Sequence, residues 1–158
     1  MTALTINVIG NPIPQGSKVA NHHAPGVRDA NDKNLRPWRA TVANAAAEAA
    51  TAADWATLNQ ACRVVITFAH PRPASHFGTG RNAARLKPSA PSWKSTRPDI
   101  DKLTRAVLDA LTDAQVIRDD GRVASLRVSD TWANGPAGAL ITVATLTHDS
   151  GQRDGVIL

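Results

Sequence analysis

Four aspartates carry the most pointed chemistry this chain offers. Asp99 and Asp101 open the amphipathic stretch "RPDIDKLTRAVLDAL", and Asp119 and Asp120 follow in "QVIRDDGRV". Carboxylates brought together from two such segments make a hard-oxygen site suited to Mg²⁺, with Mn²⁺ as a substitute. An ion of that kind positions and deprotonates water and neutralises a leaving oxygen, which is what phosphodiester hydrolysis needs. Each pair also has a plainer role. Aspartate is favoured at a helix N-cap and in the first turn, where free amides and the positive end of the dipole meet it. Asp-Gly is a favoured hairpin dipeptide, so "QVIRDDGRVASLRV" can equally be one β-hairpin. Geometry sets two conditions on the sharper reading. Residues i and i+2 of a helix do not face each other, so Asp99 can join Asp101 only from just outside the helix. Adjacent residues of an extended segment face opposite ways, so only one of Asp119 and Asp120 should meet the site. Periodicity does not say which.

The surroundings are basic. Arg72, Arg81, Arg85, Lys87, Lys94, Arg97, Lys102 and Arg105 are opposed over that stretch only by Asp99 and Asp101, and the whole chain carries a formal charge of +5. Such a stretch suits a polyanion, or else forms a solvated basic loop. Carboxylates beside cations that bind the flanking phosphates favour a metal-dependent nuclease. The competing reading, of another class, is a non-catalytic DNA-binding module whose aspartates only cap and turn. A third is a nuclease acting on RNA or simple flaps.

Other chemistries fare worse. Cys62 is the single cysteine, so neither an internal disulfide nor a thiolate cluster is available. His22 and His23 lie in a Pro/Gly/Asn-rich loop with no second ligand pair at zinc spacing. His70 ends a strand and His76 sits in the basic loop, where solvation or phosphate contact suits both. No P-loop, dinucleotide fingerprint or nucleophile elbow is present. "GTGRN" hints weakly at backbone contact with phosphate, and Trp93, in a polar loop, can stack on a base or close a dimer face. No apolar run reaches the length of a bilayer span, and the first residues lack the basic start and apolar core of a secretion signal. The expected location is the cytoplasm.

The elements that must position these residues follow from pattern. "LTINVIG" alternates and stops at Gly10-Asn11-Pro12, a strand and a break. Residues 36–53 are alanine-dense with Pro37 placed for a first turn, which predicts a helix. "CRVVITFAH" (62–70) is a β-branched strand. Residues 71–98 are rich in proline and too long for a simple connector, as functional loops often are. A helix is predicted over 100–112, with Leu103, Val107, Ala110 and Leu111 as its buried stripe. Strands over 121–130 and 139–147 complete a β-α-β-α-β-β order. The fold class expected is α+β, one domain over 1–148 with a mixed sheet and two helices packed on it, then a flexible tail over 149–158.

The stretch "RPDIDKLTRAVLDALTDAQVIRDDGRV" resembles the signature of the RusA-like Holliday junction resolvases: K/R-P-D-x-D-N-L-x-K, then D-x-L, then a D-D pair before Q-V. The family's opening strand and basic turn have counterparts in "INVIGNPIPQGSKV", which adds Lys18 to the DNA-facing cations. The resemblance implies a RusA-like fold and a small homodimeric endonuclease that cuts branched DNA with Mg²⁺, in a bacterial or phage setting. It selects Asp99, Asp101 and Asp120 as the essential carboxylates, with Asp119 in the less certain place beside them. The family's lysine falls on Arg105, which keeps the charge but cannot transfer a proton. Its asparagine falls on Lys102, a second candidate for the ammonium, and its late glutamine on Arg122.

Overall fold

A computed structural model of the chain describes the side chains of residues 3–16 and 32–147 and the backbone of 18–20 and 27–29. The predicted tail, the histidine pair at 22 and 23 and the side chain of Lys18 lie outside the described residues. In chain order the elements are strands β1 (Ala3–Ile9), β2 (Lys18–Ala20) and β3 (Val27–Asp29), helix α1 (Asp32–Ala52), strand β4 (Cys62–His70), helix α2 (Ile100–Asp113), and strands β5 (Val123–Trp132) and β6 (Gly138–Thr145). The β2–β3 ribbon is an addition to the predicted order. The rest is the α+β architecture expected.

The sheet runs β1-β6-β4-β5. Strand β6 lies antiparallel to both β1 and β4, while β4 and β5 are parallel. Register sets the layers. Ile6 opposes Ile141, which opposes Ile66, which opposes Val128, so one face collects the apolar side chains. Leu4, Ile6 and Val8 are buried on β1 while their neighbours are exposed, and Val64, Ile66 and Phe68 continue the layer on β4. Both helices cover this face. Leu103, Ala106, Val107, Ala110 and Leu111 of α2 are fully buried, so the predicted stripe is the one that packs. Leu35, Trp38, Val42 and Ala46 do the same for α1. Arg39 links the helices, with Nη2 2.6 Å from Asp113 Oδ2 and Nη1 3.5 Å from Asp109.

Two predicted boundaries shift. Helix α1 starts at Asp32 rather than near Arg36, and Pro37 sits inside it. Asp32 suits the positive end of the helix and pairs with Arg36 at 2.7 Å, one turn on. The hairpin reading of "QVIRDDGRVASLRV" is not realised. Leu58 bridges Ile117 in parallel, a single 3₁₀ turn occupies Asp120–Arg122, and β5 begins only after it.

A parallel pair needs a crossover, and here that crossover is the basic loop 71–98 followed by α2. Its ends matter. His70 opposes Trp132 and Phe68 opposes Asp130, so these side chains share the helix-bearing face where β4 and β5 end. The loop folds over that end. It is closed by a Phe77–Leu86 bridge and by bonds from Gly78 N to Arg85 O and from Lys87 N to His76 O.

Candidate active site

Asp99 is the N-cap of α2, with extended backbone (φ −70°, ψ 134°), so it stands just outside the helix as the geometry required. Its carboxylate makes no capping bond. It lies instead 3.3 Å from Lys102 Nζ, and both line a small cleft with Pro14, Arg97 and Pro98. Asp101 lies in the first turn of α2 and lines a different cleft, of about 370 Å³, between α2 and the uncovered edge of β5. Arg105, one turn below it, and Asp120 line that same cleft. Its floor is Thr104, Leu108, Leu126 and Val128. Register explains the opening: Leu126 pairs with buried Val64, yet it is 47% exposed because β5 is the edge strand and α2 does not reach over it.

Two carboxylates and one guanidinium therefore meet in one cleft. Among the described residues the side chains of Asp101, Asp120 and Arg105 enter no hydrogen bond or ion pair. The plain readings are met in part, since Asp101 lies in the first turn of α2 and Asp120 in a 3₁₀ turn, while Asp99, the N-cap, makes no capping bond. Asp119 is different. Its Oδ2 is 3.5 Å from Arg122 Nε, and a Cβ on Gly121 would stand 2.8 Å from its Oδ1, so its carboxylate folds back over its own turn. The structure separates the pair as an extended segment does, with Asp120 in the cleft. It does not bring Asp99 and Asp119 into it, and among the described residues no group of three or more His, Cys, Asp or Glu is close enough to hold a metal ion.

A hard divalent cation fits what is there. Mg²⁺ is commonly held by one or two carboxylates, with substrate phosphate and water completing its shell. Asp101 and Asp120 supply two unpaired carboxylates in an open cleft. Asp99 lies two residues before Asp101, outside the helix, beside it in sequence but on the neighbouring cleft.

The cations divide into three sets. Arg81, Arg85 and Arg97 are exposed on the crossover and make no ion pair among the described residues. Arg72 and Lys87 stay at the surface but brace the loop: Arg72 Nη1 donates to Pro91 O at 3.0 Å and Lys87 Nζ to Ser75 O at 2.9 Å. Lys94 is a correction. Expected as a phosphate contact, it is buried, its side chain only 3% exposed. Its Nζ donates to Thr96 O at 2.7 Å and to Asp130 Oδ2 at 3.0 Å. His70 Nε2 lies 2.8 Å from the other oxygen of Asp130, off the line a hydrogen bond needs. Burial pushes the His70 pKa down, Asp130 opposes that shift, and Lys94 adds to it.

Sequence reasoning missed this network, though a signal existed. His70 follows Cys62, Val64, Ile66 and Phe68 at alternate positions, and Asp130 follows Leu126 and Val128. Strand alternation aims both inward, and a buried charge demands a partner.

Among the described residues no helix is long and apolar enough to cross a membrane. A search of curated proteins finds no match to the chain. The family model for "Endodeoxyribonuclease RusA" matches residues 10–144, from the end of β1 to the last residues of β6. That span takes in β4, β5 and nearly all of β6, both helices, the basic crossover and the four aspartates, leaving out β1, and it makes the chain a member of the RusA family of Holliday-junction endodeoxyribonucleases.

Proposed function

We propose that the chain is a Mg²⁺-dependent, structure-selective endonuclease that works as a homodimer and resolves four-way junctions, or related branched DNA, by paired nicks. The observation that carries this reading is the cleft where Asp101, Asp120 and Arg105 meet without partners of their own. Family membership supplies the nuclease activity, and divalent-metal dependence is general in the family. The choice of ion, the ligand set and the dimer belong to the proposal. So does a bacterial or phage-encoded protein working in the host cytoplasm.

In this reading Asp101 and Asp120 would hold the ion, with Asp99 on the neighbouring cleft as the third candidate ligand. The ion supplies activation of water and neutralisation of charge at the leaving oxygen. The protein's own groups do the rest. Arg105 lines the same cleft and forms no ion pair there, so it is placed to offset charge that builds on the phosphoryl oxygens. It has no proton to give at neutral pH, so its role is electrostatic. Lys102 sits on Asp99 and keeps that carboxylate from repelling an incoming phosphate. Arg81, Arg85 and Arg97 bind the flanking backbone. Hydrolysis then leaves 5′-phosphate and 3′-hydroxyl ends. Two identical sites related by a two-fold axis suit two matching nicks.

The test is cleavage of a labelled mobile four-way junction with Mg²⁺ or with EDTA, beside a sedimentation measurement of the free protein. Paired nicks with Mg²⁺, none with EDTA and a dimeric mass are expected. Cutting that persists in EDTA would overturn the metal mechanism. The separation of Asp99 from Asp101 and Asp120 favours one rival, a binding module without catalysis, and binding without cutting of any branched substrate would establish it.

A further inference from the structure

A third pocket, of about 540 Å³, opens where β4 and β5 end and shares no lining residue with the cleft of Asp101 and Asp120. Its walls are proline rings: Pro12 and Pro14 after β1, Pro71 and Pro73 after β4, and Pro98 before α2. The indole of Trp132 completes them. These rings make an apolar wall, and Asn11, His70, Lys94, Thr96 and Arg97 supply the polar part of the lining. Arg72 lies over the Trp132 ring at 5.6 Å, His76 meets it edge-on at 4.9 Å, and the buried Lys94–Asp130 pair beneath ties loop to strand. At the mouth stands Arg97, exposed and free of any ion pair among the described residues. Arg97, Pro98 and Pro14 also line the cleft that holds Asp99, so the two spaces share a wall.

Apolar ring walls and a cation at the rim describe a receptor for a flat ring attached to an anion. A nucleotide has that chemistry. Branched DNA offers one cheaply, because a base beside a branch point has little stacking left to lose. We propose that this pocket takes one unstacked base of the bound strand, with its phosphate on Arg97, and thereby sets the sequence at which the enzyme cuts. This rests on the nuclease reading above. The shared wall of Pro14, Arg97 and Pro98 places the base beside the cleft of Asp99, at the start of α2. Burial of a base against ring walls is sequence-tolerant, and the exposed polar side chains of Asn11 and Thr96 in the same lining supply the discrimination.

The experiment is a gel-shift scan in EDTA, which needs binding and no cutting. Four-way junctions carrying a single abasic site are moved through each nucleotide flanking the branch. For the wild-type protein one position should weaken binding roughly tenfold when its base is removed, the range expected for loss of one base–ring contact. Neighbouring positions should change less than threefold. Thr96→Trp fills the pocket from an exposed position, and melting temperature checks that it folds; in it the intact and abasic junctions should bind alike. A flat wild-type scan, with junctions still bound, would overturn the base pocket and leave the nuclease reading standing. A scan whose weak position survives in folded Thr96→Trp would also overturn it, by locating the base elsewhere. Failure to bind any junction would remove both.

Discussion

Removing Asp130 strands a buried ammonium. In the folded protein the side chains of Lys94 and Asp130 are 3% and 8% exposed, and the bond between them is 3.0 Å long. Asp130→Ala leaves Lys94 Nζ with the Thr96 carbonyl at 2.7 Å as its remaining protein acceptor. Breaking a buried pair by deleting one partner costs about 3–5 kcal/mol. A typical domain has only about 5–15 kcal/mol of stability in all. Unfolding entropy of about 2.1 cal/mol/K per residue scales to about 0.33 kcal/mol/K for 158 residues. The middle of the cost range then lowers Tm by about 12 °C. Lys94→Met with Asp130→Leu removes both charges and should recover most of the loss, since well-packed apolar residues often replace a buried pair at no cost. His70 adds a pH signature. Its folded pKa lies below the ordinary value of about 6.5, so between the two values the unfolded chain binds more protons and stability rises with pH. That contribution is complete above about pH 6.5 and is lost as pH falls toward the folded value. Lys94→Met removes a positive neighbour, leaves Asp130 facing the ring and should shrink the acid-side loss. Urea denaturation between pH 5 and 8 measures all of this. Asp130→Ala within about 1 kcal/mol of wild type would refute the stranded-charge argument, and an acid limb unchanged in His70→Gln would refute the assignment to that ring.

Asp120→Asn keeps the shape of the cleft and removes a charge, so it should abolish junction cleavage while binding persists or tightens; Asp119→Asn, whose carboxylate folds onto its own turn, should be milder. A dead Asp119→Asn beside an active Asp120→Asn, both folded by thermal melting, would reverse that choice. Arg105→Ala should lower the cleavage rate at least roughly tenfold, about 1.4 kcal/mol of barrier, and Arg105→Lys should retain much of it. Wild-type cutting by Arg105→Ala would pass the role to Lys102. Junction affinity should fall with salt by about 0.9 in log K per log [salt] for each phosphate neutralised on duplex arms. The slope should lessen in Arg81→Ala and Arg85→Ala but not in Lys94→Met, whose cation is buried; an equal loss in Lys94→Met would return that residue to the DNA surface.

Periodicity carried the reading wherever burial is one-sided. The stripe of α2 and the whole of β4 were legible because a helix or strand against one layer repeats its apolar face at a fixed interval. The start of α1 was misplaced because Pro37 looked like a first-turn residue, although Asp32 was a second start signal four positions earlier than Arg36. Residues 71–98 have no period, so nothing in them set Lys94 apart from Arg81 or Arg85. Only the partner it needed, Asp130 at an inward position of β5, marked it. The site was half legible for a related reason. Chemistry and resemblance named the candidate aspartates, but which carboxylates share a cleft depends on strand order. That order puts β5 parallel to β4 at the sheet's edge instead of in a hairpin with β6, a pairing across the whole crossover that no local pattern encodes. Once β5 is at the edge, its apolar face outruns α2 and leaves Leu126 open. The cleft beside Asp101, Arg105 and Asp120 follows from that one topological fact.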